Sequence, residues 1–294
     1  MKEILQNQNY KWCEAVDGSL LSKQDLQKNT TALGRYFMTD GMIGCFLSHR
    51  KCWQTCVELN EPLLILEDDV VLKDNFWEIA SKAIYDLDKK QEWDILLLGA
   101  LGCVHPQLKF GLNIIASLVG GKWRRPRRIL DLDLENDDDD SFIHVPLCPY
   151  GCHAYVLHPT GAKRLLELCP KASFHVDVVA LGKKQLEIVA IHPLIAWQTN
   201  EDTTIGGFVH VWRRYLPTLI ADEYTGFEIG WALSAPLLRI GGPYLPRLVL
   251  TNGSSLLIMF IGFVTGVALH SPFILKLTAV YVLTVTALVR VLSS

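Results

Sequence analysis

Apolar residues along this chain gather into short continuous runs separated by stretches of helical spacing. From Gly41 to Leu59, the residues Ile43, Phe46, Leu47, Trp53 and Val57 recur at helical intervals. Thr39 or Asp40 is placed to start that helix and Asn60 to stop it. Four aliphatic residues, Leu63 to Leu66, then follow Pro62 and read as a buried strand. Asp74 is positioned to cap a second helix running to about Lys90, with Phe76, Trp77, Ile79, Ala80, Ala83, Ile84 and Leu87 as its apolar face. A further apolar run occupies Trp93 to Gly99, and Tyr150 to Leu157 reads as a strand of weak alternation. Thr160 can cap a helix through Leu168 that Cys169-Pro170 ends, and Ile188 to Ile191 reads as a strand closed by His192-Pro193. Helices alternating with fully apolar strands imply an α/β sheet covered on both faces.

Two regions depart from this rhythm. Residues 100–143 carry a basic run, Lys122 to Arg128, followed by an acidic run from Asp131 to Asp140. Solvated loops whose charges neutralise each other are the simpler reading, and contact with anionic lipid or a phosphorylated acceptor is the alternative. At the C-terminus, Leu256–Leu269 is apolar, His270-Ser271-Pro272 punctuates, and Phe273–Val289 is apolar again apart from Lys276. Each piece is somewhat short of the roughly 20 residues that cross a bilayer. The readings are a helical hairpin dipping into or across a membrane, an amphipathic pair on its surface, or a helical dimerisation tail. Arg239 and Arg247 precede the pair and Arg290 follows it. An even number of crossings would leave all three on one side, the cytoplasmic one. The expected organisation is a catalytic-type domain over residues 1–250 and a membrane-associated helical hairpin over 251–294.

Composition refines this picture only slightly. With 294 residues, 50% of them hydrophobic, the chain can bury one sizeable core and carry an accessory segment. A net charge of -3 gives no support for nucleic-acid binding. Mean hydropathy is +0.21, and the apolar excess sits mostly at the C-terminus. Eight cysteines without a C-x-x-C pair suggest reduced thiols in a core facing the cytosol. Residues 1–12 are polar and lack the apolar stretch of a signal peptide, so a cytosolic start is expected.

The chemistry concentrates where the first strand ends, at Glu67-Asp68-Asp69. Three adjacent carboxylates cannot all stay ionised without a cation or strong hydrogen-bond donors. Oxygen ligands so placed suit Mg2+ or Mn2+, and such an ion can hold a diphosphate; a plain acidic turn is the competing reading. Cys45, His49, Cys52 and Cys56 share one helix face. Four ligands along one straight helix cannot converge tetrahedrally on a single zinc, so core packing of small thiols is expected.

Three segments stand in order: Ala15-Val16-Asp17-Gly18, then Gly44 to Trp53 with Ser48-His49-Arg50 inside it, then Leu64-Ile65-Leu66-Glu67-Asp68-Asp69-Val70. In that order and spacing they resemble glycosyltransferase family 25, the lipopolysaccharide and procollagen galactosyltransferase group. The pattern continues with Trp93-Asp94 and its apolar strand, Tyr150-Gly151, the helix Gly161 to Leu166, and Val176-Asp177, so that the resemblance covers residues 12–200. It implies a GT-A-like nucleotide-sugar transferase fold with Glu67 and Asp69 as ligands of Mn2+ or Mg2+. It further implies inverting transfer of a hexose, galactose above all, from a UDP-sugar to a glycan or lipid-linked saccharide. Asp177 would take the acceptor proton, and Asp17, Ser48, His49, Arg50 and Asp68 would bind substrate. Asp68 would point into the sheet or toward the sugar, since adjacent strand residues face opposite sides. From the residues alone, Asp177 can equally cap a helix or pair with a lysine, Arg50 can form a surface salt bridge, and His49 can be a satisfied polar histidine. Family members usually begin with an apolar strand and an Arg-bearing turn, whereas eleven polar-biased residues precede Trp12 here. The expectation is therefore either a late start or a fold lacking its first strand, with a non-catalytic binding module as the competing function.

Overall fold

Three short polar caps organise the first helices. The side chains of Ser22, Thr31 and Thr39 accept the backbone N–H groups of Asp25, Gly34 and Met42. They open α1 (Lys23–Asn29), α2 (Ala32–Phe37) and α3 (Asp40–Leu59). At the far end of α3, Asn60 takes the left-handed conformation with φ 53° and returns its N–H to the carbonyl of Cys56. The start and stop expected for this helix are therefore both observed. The computed structural model describes residues 10–100, 124–134, 140–198, 233–241 and 248–294.

Strand β1 (Leu63–Leu66) leads into β2 (Val70–Leu72), α4 (Phe76–Lys90) and β3 (Ile95–Gly99). After them come β4 (Arg127–Asp131), β5 (Phe142–Val145), β6 (Ala154–Leu157), α5 (Pro159–Leu168), α6 (Val176–Leu181), β7 (Ile188–His192) and β8 (Ala196–Gln198). Six strands form one mixed sheet in the order β1-β6-β3-β7-β5-β4, in which β3 and β7 are parallel and the other pairs antiparallel. All five residues of β3 are buried. Ile95 and Leu97 enter the core shared with α3, α5 and α6, whereas Leu96 and Leu98 enter the core shared with α4. The period-2 alternation of a strand thus serves two apolar layers, and the sheet is covered on both faces as expected.

Several local readings change. Helix α4 starts at Phe76 after Asn75, with no side-chain cap, so Asp74 does not cap it. The interrupted region contains two paired strands, β4 and β5, that polar flanks conceal in the sequence. Arg127 and Arg128 of the basic run lie on β4, and the Arg124 guanidinium donates to the carbonyls of Leu181 and Lys183 at 2.7 Å each. Arg128 pairs with Asp131 and Asp140, so part of the two charge runs does neutralise itself. Lys122 and Trp123 lie outside the described residues.

The C-terminal part contains a ribbon of β9 (Pro236–Arg239) and β10 (Val249–Thr251), then α7 (Asn252–Ala268) and α8 (Pro272–Ser293). A Cβ added at Gly262 would lie 2.3 Å from Thr278 Oγ1, and one at Gly266 would lie 2.6 Å from Leu275 Cδ2. With the Ser255 and Tyr281 hydroxyls 3.0 Å apart, these contacts define an antiparallel hairpin closed through small residues. Its outer face is apolar and exposed, with Phe260, Phe263, Phe273 and Leu283 each at least 60% accessible. The last turn of α8 behaves differently: Val289 and Leu292 are buried in the core beneath α3 and the sheet. Helix α8 is long and apolar enough to cross a membrane by length and composition, whereas α7 has 17 residues. Arg239 is not a flanking surface charge. It is buried, pairs with Asp40 at 3.1 Å and donates to the Arg35 carbonyl at 2.6 Å, tying β9 to α2 and α3. Arg247 lies outside the described residues.

Candidate active site

The Ala15–Gly18 segment lies across the start of α3. A Cβ on Gly44 would meet the Val16 carbonyl at 2.3 Å, and one on Gly18 would meet the Asp40 carbonyl at 1.9 Å. Glycine is required at both places because backbone meets backbone. Ser48 fastens the contact, accepting the Val16 N–H at 2.9 Å and donating to the Gly44 carbonyl at 2.8 Å. Asp17 is exposed and caps the turn that follows, accepting from the Ser19 hydroxyl and N–H, which hold its carboxyl below the usual range. Ser48 is thus occupied in holding α3 and the preceding segment together, and Asp17 in capping its local turn.

One turn on, His49 points inward and is 6% exposed. Its Nδ1 lies 3.0 Å from the Tyr155 hydroxyl on β6, and its Nε2 lies 3.1 Å from Glu67 Oε1 at the exit of β1. Trp53 Nε1–H, which can only donate, reaches the same hydroxyl at 3.0 Å. For a neutral His49 the chain then runs in one direction. Trp53 donates to Tyr155, Tyr155 donates to Nδ1, and Nε2–H donates to Glu67. The other oxygen of Glu67 accepts from Gln198 Nε2 at 3.0 Å. Gln198 is delivered by the β2–β8 ribbon, in which it pairs with Val70. Burial acts to raise the Glu67 pKa, but the His49 hydrogen bond and the electrostatic influence of the His49 and His153 rings outweigh it and leave it lowered. His49 is therefore a satisfied polar histidine that orients a carboxylate.

Asp68 and Asp69 form the turn between β1 and β2. Asp68 is exposed there, so its side chain does not enter the sheet. Asp69 is partly buried, and its carboxyl is pushed up to about 6 by burial and by the nearby Glu67, with Asp68 adding and Gln198 opposing. Its Oδ1 is buried without a hydrogen-bond partner. An orphaned carboxylate oxygen crowded by a second carboxylate is what a bound divalent cation would satisfy, and oxygen ligands match a hard ion. Glu67 and Asp69 fit such an ion.

Asp177 reaches the same neighbourhood from the start of α6. It is 9% exposed, with Oδ2 accepting the Gly151 N–H at 3.2 Å and Oδ1 the Val178 N–H at 2.8 Å. Gly151 presents that N–H from a left-handed backbone, φ 83°, which accounts for glycine after Tyr150. Cys45 stands with His49 and Glu67, one ligand atom of each lying within 4.8 Å of the others. Burial pushes its thiol well up, and Glu67, Asp177 and Asp69 push it further. Cys152 is raised in the same way by burial, Asp177 and Glu67. Arg50 follows His49 with its Nε buried and unpaired.

The structure thus brings together His49, Glu67, Asp69 and Asp177, leaves Asp68 at the solvent edge, gives Ser48 to the support of α3 and leaves Asp17 capping an exposed turn. Sequence reasoning missed Trp53, Tyr155 and Gln198. Trp53 stands four residues after His49, on the same helix face, and was legible as its companion; Gln198 needed the β2–β8 pairing.

A family model for glycosyltransferase family 25 (LPS biosynthesis protein) matches residues 1–180. The chain belongs to glycosyltransferase family 25. A glycosyltransferase 25 family member of Anopheles gambiae is 40% identical over 208 residues, which is 70% of this chain and 29% of that protein. Procollagen galactosyltransferase 2 of Mus musculus is 35% identical over 96 residues, 29% of this chain and 15% of that one. Inactive glycosyltransferase 25 family member 3 of Mus musculus is 33% identical over 116 residues, 36% of this chain and 19% of its own length. The chain spans less than a third of the length of each of these relatives. Family 25 therefore includes named transferases and named inactive members, and activity has to be argued from the residues of the site.

Proposed function

We propose that this family 25 protein is a metal-dependent, inverting glycosyltransferase. It moves a hexose, galactose as the leading choice, from a UDP-sugar to a saccharide, glycan or lipid-linked acceptor. The observation that carries the reading is the buried, partnerless Asp69 Oδ1 beside an ionised Glu67, with the Asp177 carboxylate in the same cluster. Glu67 and Asp69 would hold Mn2+ or Mg2+, which supplies positive charge to the diphosphate leaving group. His49 and Gln198 fix the Glu67 carboxylate in one orientation. Arg50 offers its unpaired Nε–H to a phosphate oxygen. Asp68, exposed on the turn between β1 and β2, accepts from sugar hydroxyls. Asp177 receives the acceptor hydroxyl proton as the new glycosidic bond forms. The fold is read as GT-A-like, with residues 1–250 as the transferase unit.

We assign residues 251–294 to a membrane face, because the hairpin exposes a continuous apolar surface. Burial of Val289 and Leu292 in the core keeps the end of α8 beside the transferase unit, so an apolar hairpin would carry the site to the bilayer surface. The cytoplasmic face is the proposed side. A second reading, a non-catalytic binding relative, is favoured by one observation: both Asp177 oxygens already accept backbone N–H groups. UDP release from UDP-galactose by the full chain separates the two. The first reading expects Mn2+-dependent release that falls at least 100-fold in Asp177→Asn; absence of release from the wild type with any acceptor supports the second.

A further inference from the structure

We infer that Cys45, His49 and Glu67 form a binding site for a zinc-class divalent ion, with a fourth position open. A straight helix cannot supply four converging ligands, but here Cys45 and His49 stand one turn apart on α3 and the strand exit supplies Glu67 from outside the helix. One ligand atom of each lies within 4.8 Å of the other two. Bonds of about 2.0–2.3 Å to an ion place tetrahedral neighbours roughly 3.3–3.8 Å apart, so a small contraction of the cluster suffices.

The outer shell is already built. His49 Nε2 and Glu67 Oε1 face each other at 3.1 Å, while the remaining atom of each ligand is held elsewhere. Nδ1 meets the Tyr155 hydroxyl, itself held by Trp53, and Glu67 Oε2 accepts from Gln198. Such partners fix ring and carboxylate orientation at metal sites. With an ion on Nε2, the ring proton sits on Nδ1 and is donated to Tyr155 Oη, which then accepts from both His49 and Trp53. The Cys45 thiol loses one proton to solvent as the sulfur–metal bond forms. The Glu67 carboxylate beside the thiol and the imidazole supplies negative charge that attracts a dication. Thiolate with imidazole selects zinc over Mg2+ or Mn2+. One consequence rests on the proposed function: Glu67 is common to both sites, so Zn2+ would exclude the hard ion and inhibit transfer.

Cobalt reports this site without any assay of transfer. Co2+ titrated into the reduced, EDTA-stripped full chain is expected to give a thiolate-to-cobalt charge-transfer band that one equivalent of Zn2+ removes. Cys45→Ser should abolish the band. His49→Ala and Glu67→Gln should weaken Co2+ binding tenfold or more. Asp69→Asn and Cys13→Ser should keep the band. No band in the wild type, or a band retained in folded Cys45→Ser, overturns the proposal. Should the variants fail to fold, alkylation of the wild type decides. Zn2+ should slow iodoacetamide labelling of Cys45 at least tenfold and leave Cys13 unchanged, whereas equal labelling of Cys45 with and without Zn2+ overturns it. An inactive transferase can still pass this test, and an active one can fail it.

Discussion

At Asp69, burial and charge act together on a carboxylate of the site. Its carboxyl titrates near 6 in the folded protein against 3.8 for an ordinary aspartate, so folding disfavours its ionised form. A raised carboxyl pKa means a penalty that is absent below about pH 4, grows as pH rises, and is complete above the folded value. In EDTA, Asp69→Asn is therefore expected to stabilise the protein by about 1–2 kcal/mol at pH 7.5 and to have no effect below pH 4. Denaturant unfolding at the two pH values measures this; stabilisation that is equal at both would refute the assignment of the orphan oxygen. The hydrogen-bonded chain above it makes a second prediction. Tyr155→Phe removes the hydroxyl that His49 Nδ1 and Trp53 Nε1–H share, leaving two buried groups unpaired at a cost of about 1–3 kcal/mol. Trp53→Phe removes one donor and leaves a cavity where the buried indole packs, so urea titrations should place its midpoint below wild type.

Elements rather than residues decide what the sequence could reveal. Helix α3, β1, β3 and β7 were legible because long apolar periodicity or uninterrupted aliphatic runs leave little choice of conformation, and α5 was legible too, although His158 rather than Thr160 caps it. Strands β4 and β5 were not, since Arg127, Arg128 and Asp131 carry charges on paired backbone and break the apolar pattern that marks a strand. Within the site, the acidic exit of β1 and His49 stood out as residue types, whereas Gln198 became relevant only through the register of β2 with β8. The close contact of Ala15–Gly18 with α3 was legible only as two glycines of a motif. Gly44→Ala tests that contact: its Cβ would press on the Val16 carbonyl, at an expected cost of about 1–3 kcal/mol. Urea unfolding checks the loss, and unchanged stability would mean that the segment is free to move off the helix.

At the scale of the molecule, a sheet covered by helices on both faces carries an apolar hairpin whose last turn is locked into its core. If the exposed face of that hairpin meets lipid, the full chain should float with liposomes, and replacing Phe260, Phe263, Phe273 and Leu283 by serine should release it without unfolding the rest. Equal flotation of both proteins would assign the apolar face to something other than lipid. The site sits in this frame at the junction of α3, the β1 exit and the start of α6, where a cation would relieve the crowding of Glu67 and Asp69. Calorimetric binding of UDP-galactose to the full chain tests that claim most directly. The account predicts binding in Mn2+, loss of binding in EDTA, and at least tenfold weaker binding to Asp69→Asn in Mn2+. Binding of equal strength in all three conditions would contradict it.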